Sequence, residues 1–400
     1  MKLRCVTLGL ISITLLTAGL TPAQPAGFRR PDPLWSVSVG GRFHSGGAGV
    51  DFGNLGTIPV EVAALDQSRN YSNGLVTLDA LRAGERNATG GQTSTPGGRY
   101  QTTSTDADNN VSVTGDFVAF TPGFTRDWAY NDASQVGADG RIGFDRFGAV
   151  TRGGTVAATE SDASVGFDLD MTRRLGKLGA RWEWGITGGI GLSELRAESN
   201  GAVVSDLRRL TDFYALQEGV APDAPYDAPT FIDLANPDGT VLVANGFETT
   251  RPLSQDPVAR IDGVVAGGTT INGRWQVDGA YFLVRLGPSL RGRLTERIGV
   301  SFSAGLAAGY VGTTFSAEES FQPPGATQAA TYNAEADGND LLVGFYGAAN
   351  VEFWFTPATG LYVGASFESL DTYNQGLEGR RVDIDIGEGL AVRAGIVYRF

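Results

Sequence analysis

The segment Gly389–Phe400 reads GLAVRAGIVYRF and has a two-residue period. Leu390, Val392, Ala394, Ile396, Tyr398 and Phe400 fall at every second position, and Arg393 and Arg399 lie between them. Residues two apart share one face of a β-strand. The segment therefore predicts a strand with an apolar, aromatic-tipped face and a small or charged face, as in a sandwich or a barrel.

The amino end has the composition of a secretory signal. Lys2 and Arg4 precede an apolar run from Val6 to Leu20, and Thr21-Pro22-Ala23 supplies small residues for cleavage. We predict a signal peptide at 1–23 and a single mature domain at 24–400. The one cysteine, Cys5, lies in the signal. After it, no run approaches the roughly 20 apolar residues of a membrane helix, so membrane insertion would require a closed sheet.

Composition narrows the classes of function. The chain has a net charge of −13 and 57 glycines among 400 residues. An acidic chain argues against nucleic acid as a partner, since nucleic-acid binding needs basic patches. Glycine at inward positions suits a narrow barrel with little interior room.

Seven further alternating segments precede the last one. Their connections are short and long in turn, with large loops expected at about 45–161 and 198–272. This order predicts an all-β, transmembrane, antiparallel up-and-down barrel with eight strands, long extracellular loops, and both chain ends on one side. The eight predicted strands are 35–44, 163–172, 182–192, 280–291, 298–310, 343–355, 361–367 and 389–400.

Three features inside the long loops have their own interpretations. The segments 111–120 and 141–150 are predicted to form a hairpin above the membrane, and the alternative adds them to the barrel as two more strands, ten in all. Ser205, Leu207, Leu210 and Tyr214 have the spacing of a short amphipathic helix capped by serine. Segments 231–234 and 241–244 flank Asn236-Pro237-Asp238-Gly239, which predicts a small hairpin.

The eight strands, short turns and terminal phenylalanine resemble the OmpA/OmpX-type outer-membrane β-barrels. The resemblance covers the barrel only and does not extend to the peptidoglycan-binding domain of OmpA-type proteins. It implies a monomer in outer-membrane lipid with periplasmic chain ends. It also implies that Tyr398 and Phe400 act as the signal read by the barrel-assembly machinery.

An eight-stranded barrel encloses little more than its own side chains. Opposite charges in such an interior should pair, because an unpaired buried charge is costly. We expect a salt-bridge network that fills the lumen, and the alternative is a gated ion path. The predicted lumen network comprises Arg42, Asp168, Asp170, Glu183, Arg285, Arg291, Glu352, Glu368 and Arg393.

No catalytic, cofactor or metal site is predicted. His44 is the only histidine, and no second motif accompanies His44 and Ser45. Asp106, Asp108 and Asn110 begin like a calcium loop, but Val111 and Phe117 stand where glycine and glutamate are needed. We expect a non-enzymatic outer-membrane protein whose barrel anchors loops that contact an unknown extracellular ligand. The alternative is a small passive pore or carrier for ions or hydrophobic solutes.

Overall fold

The structure is a computed structural model of the chain. It describes residues 33–44, 49–62, 68–77, 102–105, 111–114, 123–125, 127–158, 160–161, 165–227, 233–235, 241–243, 251–386 and 390–400. The predicted signal peptide at 1–23 lies outside these residues.

Nearly all of the described secondary structure is antiparallel β-sheet. The strands are β1 Trp35–His44, β2 Gly49–Leu55, β3 Arg69–Tyr71, β4 Gly74–Thr77, β5 Thr102–Thr105, β6 Val111–Thr114, β7 Phe124–Thr125, β8 Asp127–Tyr130, β9 Ile142–Thr151, β10 Gly154–Ala157, β11 Glu160–Ser161, β12 Val165–Leu178, β13 Trp182–Tyr214, β14 Tyr226–Asp227, β15 Asp233–Ala235, β16 Val241–Val243, β17 Leu253–Ser254, β18 Ala259–Arg293, β19 Ile298–Phe321, β20 Ala330–Trp354, β21 Thr359–Leu370, β22 Tyr373–Leu377, β23 Arg380–Asp385 and β24 Leu390–Arg399. A 3₁₀ turn spans Ala133–Gln135. No helix in the described part of the chain is long and apolar enough to cross a membrane.

The main sheet has ten strands and closes into a ring. Antiparallel pairing runs from β1 through β12, β13, β18, β19, β20, β21 and β24 and returns to β1. The other two strands, β9 and β11, attach to β13 outside the ring. The sheet is thus larger than the eight strands predicted, while the ring itself is antiparallel and without edges along its shared length.

The ring closes next to the chain end. Trp35 and Phe400 exchange backbone hydrogen bonds of 3.2 and 3.1 Å, and β24 pairs with β1 along nine residues from Ser36 to His44. Short connections at 179–181, 294–297 and 355–358 lie at this same end of the ring, because consecutive strands are antiparallel. We call it the turn end.

The outward face of every ring strand carries exposed apolar side chains near the turn end. One example from each strand is Phe43, Phe167, Ile190, Val284, Leu306, Phe345, Val363 and Ile396. On four strands this belt stops at one row of directly paired residues, Leu192, Phe282, Tyr310 and Leu341. The next outward row is Glu194, Ala280, Gly312 and Asn339, and the row after it is polar throughout, with Arg196, Asp278, Thr314 and Asp337.

The strands β13, β18, β19 and β20 continue far beyond the belt. They contain 33, 35, 24 and 25 residues, whereas β1 and β24 contain 10 each. We call their parts beyond the row of Leu192 the distal segment. A four-stranded inserted sheet, ordered β10-β2-β23-β22, packs on the inner face of the distal segment. Phe52 of the inserted sheet stacks on Phe315 with ring centroids 5.7 Å apart.

A continuous apolar core fills the distal segment. Its members from the long strands include Leu195, Val277, Val311 and Phe315, and those from the inserted sheet include Val382. A second core lies at the far end, where β3, β4, β8 and β14 cover β9 and the end of β13. Trp128, Tyr130, Phe144 and Tyr214 are fully buried there.

Several predicted loops are instead strands. The loop predicted at 198–272 contains the continuation of β13 to Tyr214 and the start of β18 at Ala259. The helix predicted from Ser205 is wrong, since Ser205–Tyr214 lies in β13 between β9 and β18. Leu210, Thr211 and Asp212 are all buried because both faces of β13 are covered there. Apolar residues therefore need not alternate along this part of the strand, and their spacing resembles that of a helix.

The predicted pair of segments at 111–120 and 141–150 does not form one hairpin among the described residues. Val111–Thr114 pairs with Thr102–Thr105, and Ile142–Thr151 pairs with the distal end of β13. The small hairpin predicted around residue 238 is present, as Asp233–Ala235 pairs with Val241–Val243.

Candidate functional site

The centre of the ring holds six charged side chains, which we call the charge layer. Arg42 comes from β1, Asp168 and Asp170 from β12, Arg285 from β18, Glu368 from β21 and Arg393 from β24. Each lies at an inward position of its strand, alternating with belt residues such as Phe167 and Phe367. Five strands therefore contribute to one interior cluster of three cations and three anions.

Asp168 is the hub of the charge layer. It lies 2.7 Å from Arg285, 2.7 Å from Arg393 and 3.6 Å from Arg42. Arg42 and Arg393 stand directly opposite each other on neighbouring strands, so these two cations need a shared anion between them.

The two other carboxylates complete the charge layer. Asp170 is 3.0 Å from Arg285 and also pairs with Arg393. Glu368 is 2.7 Å from Arg42 and 3.2 Å from Arg285. Every carboxylate thus bridges two or more arginines, and all six side chains are largely or fully buried. Such a lattice offsets the desolvation cost of each ion only while all members are present.

Glycine makes room for the charge layer on the inner wall. A β-carbon at Gly191 would lie 2.8 Å from Asp168 Oδ1 and 3.0 Å from Arg42 Nη1. An alanine there would push against both members of an ion pair. The inward glycine of β13 therefore leaves room for the charged groups that approach from β1 and β12.

A second cluster, the turn-side group, lies nearer the turn end. Glu352 accepts from Arg291 Nε at 3.0 Å and from Arg399 at 3.2 Å. The Arg399 guanidinium also lies 4.1 Å from the centre of the buried Trp354 ring. Arg291 donates to Ser36 Oγ at 3.0 Å. The group thus ties β1, β18, β20 and β24 together just inside the turn end.

A small polar cavity separates the charge layer from the turn-side group. Its volume for water-sized molecules is about 40 Å³, enough for a few waters. It is lined mainly by hydroxyl, amide and carboxylate groups, among them Asp170, Thr187, Ser303, Asn350, Glu352 and Tyr362. The side of the charge layer away from this cavity meets Tyr281, Leu283 and the apolar core of the distal segment. The ring interior is therefore closed by charges and then by apolar packing.

The distal core has a buried ion pair of its own. Glu319 of β19 lies 2.6 Å from Arg380 of the inserted sheet, and both side chains are buried. Glu319 also accepts hydrogen bonds from Trp275 Nε1 at 2.9 Å and from the Gly56 amide at 3.0 Å. Arg380 lies 3.7 Å from the centre of the Tyr332 ring. Burial raises the pKa of Tyr332 to about 12, with a further contribution from Glu378.

A hydrogen-bonded cluster fixes the far end of the distal segment. Tyr71 and Tyr214 hydroxyls are 2.6 Å apart, and Tyr71 donates to Asp212 at 2.9 Å. Asp212 also accepts from Arg260 at 2.5 Å. Burial, and then the neighbouring Tyr214, raise the pKa of Tyr71 above its ordinary value. Both tyrosines therefore remain neutral hydrogen-bonding groups, and the cluster joins β3, β13 and β18.

The structure brings eight of the nine predicted lumen residues into the charge layer and the turn-side group. Glu183 lies apart at the rim of the turn end, half-buried and 3.5 Å from Arg174. Arg399 was not predicted, although it alternates with Tyr398 and Phe400 and so falls on the inward face. The pair Glu319 and Arg380 was also missed, because both residues fell in segments predicted to be loops.

The other candidate positions are less informative. Tyr398 and Phe400 are exposed on the outward face and stack with ring centroids 6.0 Å apart. The His44 side chain and the segment 106–110 lie outside what the structure describes. Among the described residues, no three His, Cys, Asp or Glu side chains are grouped so that they could hold a metal ion.

Comparison with known proteins matches the chain to solved structures, but not to a protein family or a curated protein. Matching solved structures include the outer membrane protease OmpT from Escherichia coli, at 10% identity and a TM-score of 0.28, covering 92% of this chain and 97% of that chain. Another is a FadL homologue from Pseudomonas aeruginosa, at 8% identity and a TM-score of 0.16, covering 92% and 91%.

The first of these matches corrects one prediction. The statement that the chain is not an enzyme is wrong as made, because a structure that it matches along nearly its whole length is a protease. A TM-score of 0.28 carries no argument for proteolysis by this chain, so no activity is assigned. The evidence for the ring is the strand pairing in this chain and not these matches.

Proposed function

We propose that the chain is an outer-membrane β-barrel in which the eight ring strands cross the bilayer and the distal segment stands on the cell surface as an interaction structure. The observation that carries this proposal is the change of outward side chains at the row of Leu192, Phe282, Tyr310 and Leu341. Exposed apolar side chains surround the ring on one side of that row. A belt of this extent on a soluble protein would be a severe aggregation hazard.

The height of the belt supports the bilayer as its partner. On β19 the outward apolar positions run from Ile298 to Tyr310. Twelve steps of about 3.3 Å, tilted by roughly 40°, give a height of about 30 Å. That height is close to a typical hydrocarbon core of about 30 Å and somewhat above the apolar band of about 25 Å that outer-membrane barrels carry.

The closed interior favours an anchor over a pore. The charge layer and the apolar core of the distal segment block the ring in series. The polar cavity between the turn-side group and the charge layer supports the alternative of a small pore, because it reaches the charge layer from one side. Planar-bilayer conductance separates the two. An anchor predicts negligible conductance for both the natural chain and Glu352→Ala, and a pore predicts measurable conductance that rises in the variant.

We further propose that the chain enters the membrane as a monomer through the barrel-assembly machinery, with both ends in the periplasm. The stacked, outward Tyr398 and Phe400 at the closing strand support that role. Removing Phe400 should reduce the amount of heat-modifiable, folded protein in the membrane. Unchanged amounts would count against an assembly signal at this position.

Cysteine labelling of intact cells tests the orientation. Single cysteines at Arg196 or Glu318 should react with a membrane-impermeant maleimide, because these positions are outward in the distal segment. Cysteines at Lys177 or Thr295, near the turn end, should react only after the outer membrane is opened. The reverse pattern would refute the proposed topology.

A further inference from the structure

The distal part of β18 has an edge with which no strand among the described residues pairs, and we call it the free edge. Its residues from Ala259 to Ile271 pair with β13 on one side. On the other side β19 pairs only with β18 residues from Asn272 onward, and no strand among the described residues pairs with the edge before it. A free edge presents unpaired backbone donors and acceptors to an incoming strand.

Both faces of this edge are open as well. Ile261 is 59% exposed, and Val264, on the opposite face, is 60% exposed. Val258, which precedes the strand and bonds through its amide to Phe213 O at 2.8 Å, is 52% exposed. Apolar side chains on both faces of an exposed edge form a surface that a further strand would bury.

The charged side chains on this edge form ion pairs with residues of β13. Arg260 is bound to Asp212 at 2.5 Å, and Asp262 to Arg208 at 2.5 Å. Charged residues normally protect edge strands from pairing. Here each is matched within its own chain, so neither presents an uncompensated charge to a partner strand.

The stretch Val258–Val264, VARIDGV, is complementary to itself when read antiparallel about Ile261. In that register Arg260 of each copy lies opposite Asp262 of the other, and Val258 lies opposite Val264. Ile261 faces Ile261 on the other side of the sheet. Opposite charges and apolar pairs at directly opposed positions stabilise antiparallel strands. We propose that the chain binds a second copy of itself through this edge, as a two-fold antiparallel strand pair centred on Ile261.

The proposed membrane placement decides which copies can meet. Two barrels in one membrane are related by a two-fold axis along the membrane normal. Their tilted strands then still run in the same direction along that normal, so they cannot be antiparallel. Antiparallel pairing of such strands needs a two-fold axis in the membrane plane. This axis relates copies on facing membranes, so the paired edge would join two cells or vesicles.

A contact of about seven residues is small and should be weak for one pair of molecules. Many copies on two facing surfaces would add their contributions through multivalency. The expected result is reversible clustering of membranes that carry the protein, with little dimer at low concentration in detergent.

Charge substitutions at the two-fold position test the pairing in detergent, where no membrane constrains it. The full chain should self-associate in sedimentation experiments at high concentration. Ile261→Lys or Ile261→Glu alone should weaken association about tenfold or more, since like charges then face each other. An equal mixture of the two variants should associate again. Heat-modifiable gel mobility verifies that each variant is folded.

Val220→Lys is the matched control, because Val220 is 84% exposed and lies off the edge. It should associate like the natural chain. A chain that stays monomeric at all concentrations, or a mixture no more associated than its components, would overturn the pairing. Phosphatidylcholine vesicles carrying the chain should cluster, and those with Ile261→Lys should not. Detergent pairing without vesicle clustering would overturn only the facing-membrane arrangement, which depends on the proposed function.

Discussion

The belt and the distal segment of the same four strands have opposite side-chain arrangements. In the belt of β13, Ile190 faces outward and Thr187 inward. A few residues later, Arg196 faces outward and Leu195 inward. The two-residue period does not change between these two stretches, but the apolar residues move from one face to the other. The backbone of a strand therefore does not report which solvent surrounds it, and the phase of the alternation does.

The interiors differ in the same sense. The belt encloses charges that pair with one another, whereas the distal segment encloses mainly apolar side chains, around the buried Glu319–Arg380 pair. In the proposed membrane placement, lipid outside the belt makes a polar interior possible, because the apolar side chains already face outward. Water outside the distal segment then requires the usual apolar core. We call the row of Leu192, Phe282, Tyr310 and Leu341 the boundary. The same kind of substitution should have different effects on its two sides.

The largest effect is expected for Asp168→Asn in the charge layer. The change leaves Arg42, Arg285 and Arg393 with two carboxylates, so the free energy of unfolding should fall by about 3–5 kcal/mol. Urea unfolding in detergent measures it. The matched control is Asp278→Asn, whose exposed partner Arg196 lies 3.5 Å away. It should cost less than about 1 kcal/mol, and an equal cost would contradict a role for burial.

The next effect is expected for arginine on the outward face of β19. Leu306→Arg places a charge in the belt and should destabilise the inserted protein by about 2–4 kcal/mol. Ser316→Arg, on the same face of the same strand beyond the boundary, should be nearly neutral. Refolding into lipid vesicles followed by urea titration compares the two. Similar values for both would mean that the boundary is misplaced.

A smaller, local effect is expected for Glu319→Gln. The amide keeps an acceptor oxygen for Trp275 and Gly56 but removes the charge that pairs with Arg380, a loss of about 2 kcal/mol. Hydrogen exchange should accelerate in β23 and the adjacent part of β19, while the ring near the turn end stays protected. Glu318→Gln, on the exposed face, serves as the control and should change neither region.

The smallest effect concerns alkaline pH. Burial favours the neutral phenol of Tyr332 and raises its pKa to about 12, against about 10 for a free tyrosine. Its contribution to stability should be complete below pH 10 and lost as the pH rises through 12. Tyrosinate absorbance should show one group titrating near pH 12 that disappears in Tyr332→Phe. Disappearance of a group near pH 10 instead would contradict the burial of this ring.

The sequence predicted the belt well and the distal segment poorly. Trp35–His44 was predicted with the bounds of β1. In each of the seven remaining ring strands, alternation predicted the part that lies in the belt. After Leu192 the outward positions become charged, as at Glu194 and Arg196. The reversed phase was therefore interpreted as a loop. The helix predicted from Ser205 has a related cause. Both faces of the strand are covered there, so its apolar residues lose the two-residue period.

The interior site was partly predictable for a related reason. Arg285 and Asp168 interrupt apolar alternation at inward positions, so a local pattern exposes them. Glu319 and Arg380 have no such signal, because their partner lies 61 residues away and each sits beyond the belt. The pairing of strand edges, including the free edge of β18, depends on register between distant segments and could not be inferred from local pattern.

Spin-label accessibility along β19 tests the central claim most directly. The mature chain is predicted to lack cysteine, so single cysteines from 298 to 321 can carry the label in lipid vesicles. The account predicts high oxygen accessibility at even positions up to 310, high accessibility to a water-soluble reagent at even positions from 314 to 320, and low accessibility to both at odd positions 311–321. Loss of alternation after 310, or oxygen accessibility continuing to 320, would contradict it.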